Sequence, residues 1–537
     1  MRSILTLGAV GLPVFVGALD LTVVSAVLPA VIAGSDVPLQ KGLAEGSWAV
    51  SGYFASYLFG VLTMGRLSDL LGRRATFLSS LGVFVIGSVW SAAARDLGEG
   101  VFATTERLLT GTAGDPGLAT LHALVLGRVI QGFGAGAQLP IAFAVISERY
   151  PTDQRTQLVG LIAGVDTAGW LLGHVYGGLA VQVVPWPFLF WANVPLSLVA
   201  AGLVYFTLPG DIPRAERGAL DWWGVGLLAI AVIATTLAIG SAEVPSTTAL
   251  TRPVGTPLAV ALLVPIAVVA LAAFVAVELH ATSPLVELRA LAGRLGSVTS
   301  VANLLLGFAV MTCLVSVPLL VNATSGRPSQ ENALASGEIL ALFTIPLGLA
   351  AFPGGALARR FGLQTMAAIG LGVAFCGFLL ASGWRAETAQ AAAVAFIGFA
   401  DVGRAGSAWG PLVGLVVAGV GLGLATAPIA SALLHDATAA RYGATAALVV
   451  ALRLIGMTVA ASALVSFGLR RSSDLLRAVL LQSATAPGEL GEIVGYVATQ
   501  VSDEMLLAGA AACAIAGTVS LIVAAAPSDK PSAAGGP

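Results

Sequence analysis

The residues placed to do chemistry are the few charges that fall inside long apolar runs: Asp20, Arg128 with Gln131 nearby, Asp166, His174 and Arg453. If those runs cross a bilayer, each charge costs about 3 kcal/mol on insertion scales, so each is a functional candidate by default. Asp20 lies about sixteen residues into its run, roughly 24 Å along a helix. It reads either as a carboxylate in a water-filled cavity, loaded and unloaded with a proton, or as a polar helix contact near an interface. Arg128 is a permanent cation that would favour the ionised form of Asp20 if it lay within reach; otherwise it holds backbone carbonyls. Asp166 and His174 share one helix but stand eight residues apart, about 12 Å of rise, so they are candidates for a second proton site or for hydrogen-bonded structure. Arg453 has no acid on its own helix and needs a partner elsewhere, with Asp20, Asp166 or a cytoplasmic acid as candidates.

A second group of charges lies in a loop. The stretch GRLSDLLGRR packs Gly65, Arg66, Asp69, Gly72, Arg73 and Arg74 between two apolar runs. Asp69 can accept hydrogen bonds at a neighbouring helix N-terminus or pair with an arginine such as Arg441, while Gly65 and Gly72 permit a tight turn. Glu148, Arg149 and Arg155, in SERYPTDQR, read as the rest of a latch that would hold one side of the protein closed. The plainer reading of these arginines is topological, a positive-inside loop. On the fifth run, Gly164, Gly169, Gly173, Gly177 and Gly178 form a small-residue face that lets another helix approach closely.

The elements that must position these groups follow from composition. The chain has 537 residues, of which 57% are hydrophobic and 10% charged, against about 25% charged residues expected of a soluble domain. It cannot cover a water-facing surface, so an all-α, multi-pass membrane protein is expected. Runs of about 20 apolar residues recur fourteen times, near 5–32, 46–65, 75–94, 120–146, 157–181, 190–208, 222–242, 256–277, 297–321, 333–355, 364–384, 409–433, 443–468 and 503–526. Lys and Arg are more frequent in the connections on the N-terminal side, so both termini are expected in the cytoplasm. A weaker copy of the loop, GGALARRFGLQTM, begins at Gly354 between the tenth and eleventh runs, a sign of internal repetition. The expected layout is a six-helix unit over 1–208, two inserted helices over 209–290, a second six-helix unit over 291–526 and a disordered tail over 527–537. The outer segment 469–502 could extend the last two helices as an amphipathic hairpin turned at Pro487 and Gly488.

Several chemistries find no support. Dispersed charges with a net of -2 argue against a nucleic-acid partner. GFGAG lies in mid-run without the strand or the Lys-Ser/Thr ending of a phosphate loop, and no nucleophile elbow or zinc spacing occurs, so neither an enzyme nor a primary pump is expected, and no cofactor or metal. Cys313, Cys376 and Cys513, each single in an apolar run, read as small core residues.

GRLSDLLGRR resembles the loop motif of the major facilitator superfamily. LDLTVVSAVLP, RVIQGFGAG, GWLLGHVYGG, WPFLFWANVP and DWWGVGLLAI resemble, in order, segments of its fourteen-span drug:proton antiporter branch. The resemblance implies two rocking halves, proton coupling at Asp20 with Arg128 beside it, and a fifth-helix glycine motif that seals the outward leak. The chain departs from that motif at His174, where the branch normally has Pro, which leaves a proton-coupled importer as an alternative. The long outer connections, with GVGLGLATAPIASA and VVALRLIGM, look like the mycobacterial triacylglyceride exporters of this branch. The expected function is therefore proton-driven export of amphiphilic or lipid-like compounds by a monomer in the cytoplasmic membrane. A dedicated lipid exporter that meets a periplasmic carrier protein is the alternative; a non-transporting receptor or scaffold is a third.

Overall fold

The computed structural model describes residues 2–33, 37, 39–110, 115–180, 183–210, 220–241, 257–281, 284–286, 288–291, 293–324, 329–385, 409–435, 437, 441–482 and 490–524. Among these every element is helical. In chain order they are α1 (Arg2–Ala33), α2 (Leu39–Leu71), α3 (Arg73–Ala92), the short α4 (Ala94–Leu97) and α5 (Ala103–Thr110), α6 (Pro116–Gly136), α7 (Gln138–Arg149), α8 (Thr152–Ala180), α9 (Pro187–Thr207), α10 (Trp222–Ser241), α11 (Pro257–His280), α12 (Arg294–Thr324), α13 (Ser329–Phe361), α14 (Leu363–Ala381), α15 (Trp409–His435), α16 (Tyr442–Gln482) and α17 (Leu490–Ala524).

Among the described residues, eleven stretches are long and apolar enough to cross a membrane, and Trp222–Ala238 is a shorter apolar helix. In the stretch Pro116–Arg149, which joins α6 and α7, 83% of the residues in its most apolar 18-residue part are buried, against 17% for Ala261–His280 in α11. Helices at the centre of the bundle are thus distinguished from a peripheral pair, α10 and α11, which pack mainly on each other. The break at Ala137 has a local cause: Pro140 lacks the N–H that would bond the carbonyl one turn back.

Helix starts follow the punctuation in the sequence. Asp115 caps α6, accepting from Gly117 N at 3.0 Å, with Pro116 in the first helical position. The two loop copies resolve into the same device. Gly72 between α2 and α3 has φ 103°, and Gly362 between α13 and α14 has φ 87°, the left-handed region that favours glycine. These are the positive-φ glycines among the described residues. The repetition seen in the sequence is therefore a repetition of backbone geometry.

Helices α1–α9 meet α12–α17 along definite seams. Helix α8 packs on α13 and α15, while α2 and α7 pack on α16. At the end that carries Gly65–Arg74, hereafter the motif end, Gly65 sits against Gly443 and Ala447 of α16. The last two long helices run to 41 and 35 residues, well past a membrane's requirement of about 20. The expected turn at Pro487 and Gly488 lies outside the described residues, as does nearly all of 385–408. The sixth helix begins at Pro187, ahead of the expected 190. One expectation fails: Cys313 and Cys513 are buried, but Cys376 is exposed, because it lies on the outward face of α14 rather than in the core.

Candidate functional site

Three helices position Asp20. It lies on α1 with 0% of its surface exposed, and α6 and α9 bring polar groups to every side of its carboxylate. Arg128 Nη1 donates to Asp20 Oδ2, and Arg128 Nη2 reaches the Asp20 carbonyl at 3.2 Å. Gln131, one turn along α6, donates from Nε2 to Asp20 Oδ1 at 2.9 Å and accepts from Arg128 Nη1 at 2.7 Å. Asn193 of α9 donates to the same Oδ1 at 2.6 Å. Ser88 of α3 accepts a further bond from Gln131 Nε2 at 2.8 Å. The guanidinium lies 3.9 Å from the centroid of the Tyr53 ring on α2, within cation–π range. Such a buried pair is favoured when its remaining hydrogen-bonding capacity is used; here both carboxylate oxygens are engaged, while Arg128 Nε has no hydrogen-bond partner among the described residues.

A second pair spans the seam between the two helix sets. Arg453 Nη2 on α16 donates to Asp166 Oδ2 on α8 at 3.2 Å, and the arginine lies 5.8 Å from the Trp170 ring centroid. Of the candidate partners for Arg453, Asp166 is the acid it meets. His174 lies on the same helix, but its side chain is outside the described residues.

The glycines of α8 explain how these helices come together. A side chain at Gly169 would strike Ala18 and the Phe15 carbonyl of α1, and one at Gly173 would strike the Leu19 carbonyl and Thr22. Both are therefore required for the approach of α8 to the very stretch of α1 that carries Asp20. Gly164, five residues before Gly169, faces Gly348 of α13 instead. Gly177 is buried on the same helix, and the surroundings of Gly178 lie outside the described residues.

At the motif end, Asp69 accepts from the backbone N–H of Gly443 at 2.9 Å and of Ala444 at 3.0 Å, the first turn of α16. An anion is favourable there because those N–H groups have no partner within the helix. Arg73 Nη2 pairs with Asp69 at 2.6 Å and with Glu148 at 2.8 Å, and its Nη1 donates to Ser68. Arg66 stands 3.8 Å from Asp69. Arg155 reaches the Tyr442 hydroxyl at 3.2 Å. The acid thus uses the helix N-terminus that begins just after Arg441, and its guanidinium partners come from its own loop. Arg74 lies over the Tyr205 ring at 4.0 Å, away from Asp69.

Asn193, Ser88 and Tyr53 were not anticipated; only their apolar surroundings are visible in the sequence. Two buried acids were also missed. Glu338, in ASGEILALF of α13, is 7% exposed, and Glu278, near the end of α11, is 2% exposed. A lone acid inside or at the edge of an apolar run was the available signal.

The Major Facilitator Superfamily profile matches residues 11–461. The chain belongs to that superfamily. Its curated relatives include a triacylglyceride transporter of Mycobacteroides abscessus, 32% identical over 88% of this chain and 83% of the relative. One of Mycobacterium tuberculosis is 31% identical over 90% of this chain and 88% of its own length. Among solved structures, the human organic anion transporter MFSD10 (TETRAN) aligns with TM-score 0.53 at 15% identity, covering 95% of this chain and 99% of that one. The proton:xylose symporter XylE, bound to 6-bromo-6-deoxy-D-glucose, aligns with TM-score 0.52 at 16% identity, covering 95% and 94%. Those two likenesses concern the fold. This transporter is not an enzyme, and its helices make it a multi-pass membrane protein.

Proposed function

We propose that this transporter exports amphiphilic or lipid-like compounds across the cytoplasmic membrane in exchange for protons. The observation that carries the reading is the wholly buried Asp20–Arg128 pair, a carboxylate and a permanent cation held in the interior by Gln131 and Asn193. Asp20 takes a proton from outside when the outer side is open. That proton neutralises the carboxylate and weakens its bonds to Arg128, Gln131 and Asn193; Arg128 favours the return of the ionised form and so drives release inward. Asp166 and Arg453, which lie on helices of the two sets, add a charge pair that must part if the sets rock apart.

The fourteen-helix layout, with six-helix units at 1–208 and 291–526 around a central pair within 209–290, accounts for these seams and for the paired turns at Gly72 and Gly362. With both termini cytoplasmic, the motif end is the inner side, and the bonds from Asp69 to the start of α16 hold it shut in an outward-facing arrangement. The lining is expected to be mostly apolar and the transporter monomeric.

Transport in proteoliposomes with an imposed pH gradient tests the exchange. Substrate should leave as protons enter, and Asp20→Asn should abolish the response. Substrate and protons moving in the same direction would favour the importer reading made conceivable by His174, and flux unchanged in Asp20→Asn would point to a receptor or scaffold.

The relatives, named triacylglyceride transporters, favour a second, narrower reading: a dedicated triacylglyceride exporter, which would hand its cargo to a periplasmic carrier. The lengths of α16 and α17 support it, since both exceed what a membrane crossing requires. Deleting part of 472–495 should then abolish lipid export while leaving dye efflux intact.

A further inference from the structure

The peripheral pair α10–α11 holds two acids that the mechanism above does not use. Asp221 stands immediately before α10. Its Oδ1 accepts from the backbone N–H of Trp223 at 3.1 Å and of Gly224 at 3.0 Å, the usual service of an N-cap carboxylate. Glu278 lies near the end of α11, and its Oε2 accepts from Val286 N at 3.1 Å. Each acid therefore has one oxygen committed to backbone. The other oxygens, Asp221 Oδ2 and Glu278 Oε1, are buried and have no hydrogen-bond partner among the described residues.

Both of these oxygens border one point in space. A Cβ built on Gly224 would lie 2.6 Å from Glu278 Oε1 and 2.9 Å from Asp221 Oδ2. The absence of a side chain at Gly224 is what lets the acids close over the first turn of α10. Two ionised carboxylates facing each other out of water repel, and a buried acceptor without a donor is costly. One proton removes both penalties: it forms an O–H on one carboxyl, which donates to the free oxygen of the other.

We infer that Asp221 and Glu278 bind one proton between them, a second proton site on the peripheral helix pair α10–α11, separate from Asp20. The described charged and polar groups around it are Arg66 of α2, Asp221 of α10 and the N–H groups of Leu285 and Val286 from the segment after α11. Arg66 also stands beside Asp69 of the latch. Losing the shared proton adds a negative charge within the field of Arg66, so the state of this site bears electrostatically on the latch. The inference does not require transport to be proton-driven.

Infrared difference spectroscopy on the full chain in nanodiscs, titrated from acid to alkaline pH, tests it. The wild type should show a protonated-carboxyl C=O band at neutral pH that is lost in Glu278→Gln and is the same band lost in Asp221→Asn, and that survives in Asp20→Asn. Gly224→Ala keeps both acids but drives their oxygens apart; the flexible end of Glu278 can yield, so the protein should fold and the band should shift. A band that survives both amide variants, disappears in only one of them, or stays unmoved in Gly224→Ala would overturn the shared site.

Discussion

The two intramembrane ion pairs differ in what holds them, and the difference separates binding a proton from switching state. Asp20–Arg128 is made within helices α1–α9, with Gln131 and Asn193 completing the carboxylate's shell. A rigid movement of α1–α9 against α12–α17 would carry it along intact. Asp166–Arg453 joins α8 to α16 through one hydrogen bond of 3.2 Å, and in both pairs the arginine Nε has no hydrogen-bond partner among the described residues, so the shell around the carboxylate is what differs. The same movement would pull Asp166–Arg453 apart. A well-wrapped pair suits a site that must keep its geometry while its proton comes and goes. A thinly held pair across a seam suits a contact that forms and breaks.

The largest effects should come from the wrapped pair. Asp20→Asn keeps shape and most hydrogen bonds, so it should remain folded while proton-driven efflux in vesicles falls to background. Arg128→Met instead leaves a buried carboxylate without its cation, and should cost about 3–5 kcal/mol of stability, read as a lowered melting temperature. Adding Asp20→Asn to Arg128→Met should restore most of that loss, because the uncompensated charge disappears; additive losses would break the assignment. Asp166→Asn should have a smaller effect on stability and a larger one on state. Distance measurements between spin labels at the motif end should show the closed population falling, by about tenfold for each 1.4 kcal/mol the pair contributes. Asp69→Asn, which loses an acceptor at the start of α16, should move the same populations in the same direction but less, since an amide oxygen still accepts one N–H. If Asp166→Asn left the populations alone while Asp69→Asn moved them, the seam pair would belong with Asp20 instead.

Much of this contrast was legible in the sequence, and physical reasons mark where legibility stopped. Asp20, Arg128, Asp166 and Arg453 stand out because charge is scarce in apolar runs, and the turns at Gly72 and Gly362 stand out because repeated loops carry glycine where φ turns positive. Which acid meets Arg453 was open, since pairing between residues 287 positions apart depends on helix rotation and packing that no local pattern encodes. Asn193 and Ser88 are uncharged and small, so nothing in an apolar run announces that they complete the shell around Asp20. For Asp69 the sequence left a helix N-terminus or an arginine partner such as Arg441 open, and the acid meets both the start of α16 and Arg73 of its own loop. Cys376 was misplaced because helical periodicity is weak in α14, which is apolar on all faces, so inside and outside are not distinguished.

A third pair sharpens the comparison from its weak end. Arg471 grips Glu504 between α16 and α17, with Nη2 to Oε1 at 2.7 Å and Nε to Oε2 at 2.9 Å. In geometry it is the better-formed partner of Asp166–Arg453, yet the side chains are 42% and 30% exposed, against 11% and 3%. Water and salt therefore compete for its charges, and exposed pairs contribute little. Arg471→Ala should leave the melting temperature and the spin-label distances at the motif end unchanged, and dye efflux should vary by less than about twofold. The paired variant Glu504→Gln should behave alike. If Arg471→Ala lowered efflux as far as Asp166→Asn does, burial would not be what makes an ion pair matter here, and the long ends of α16 and α17 would have to act through alignment of the two helices. A loss confined to lipid export, with dye efflux intact, would instead assign this pair to the passage of lipid beyond the membrane.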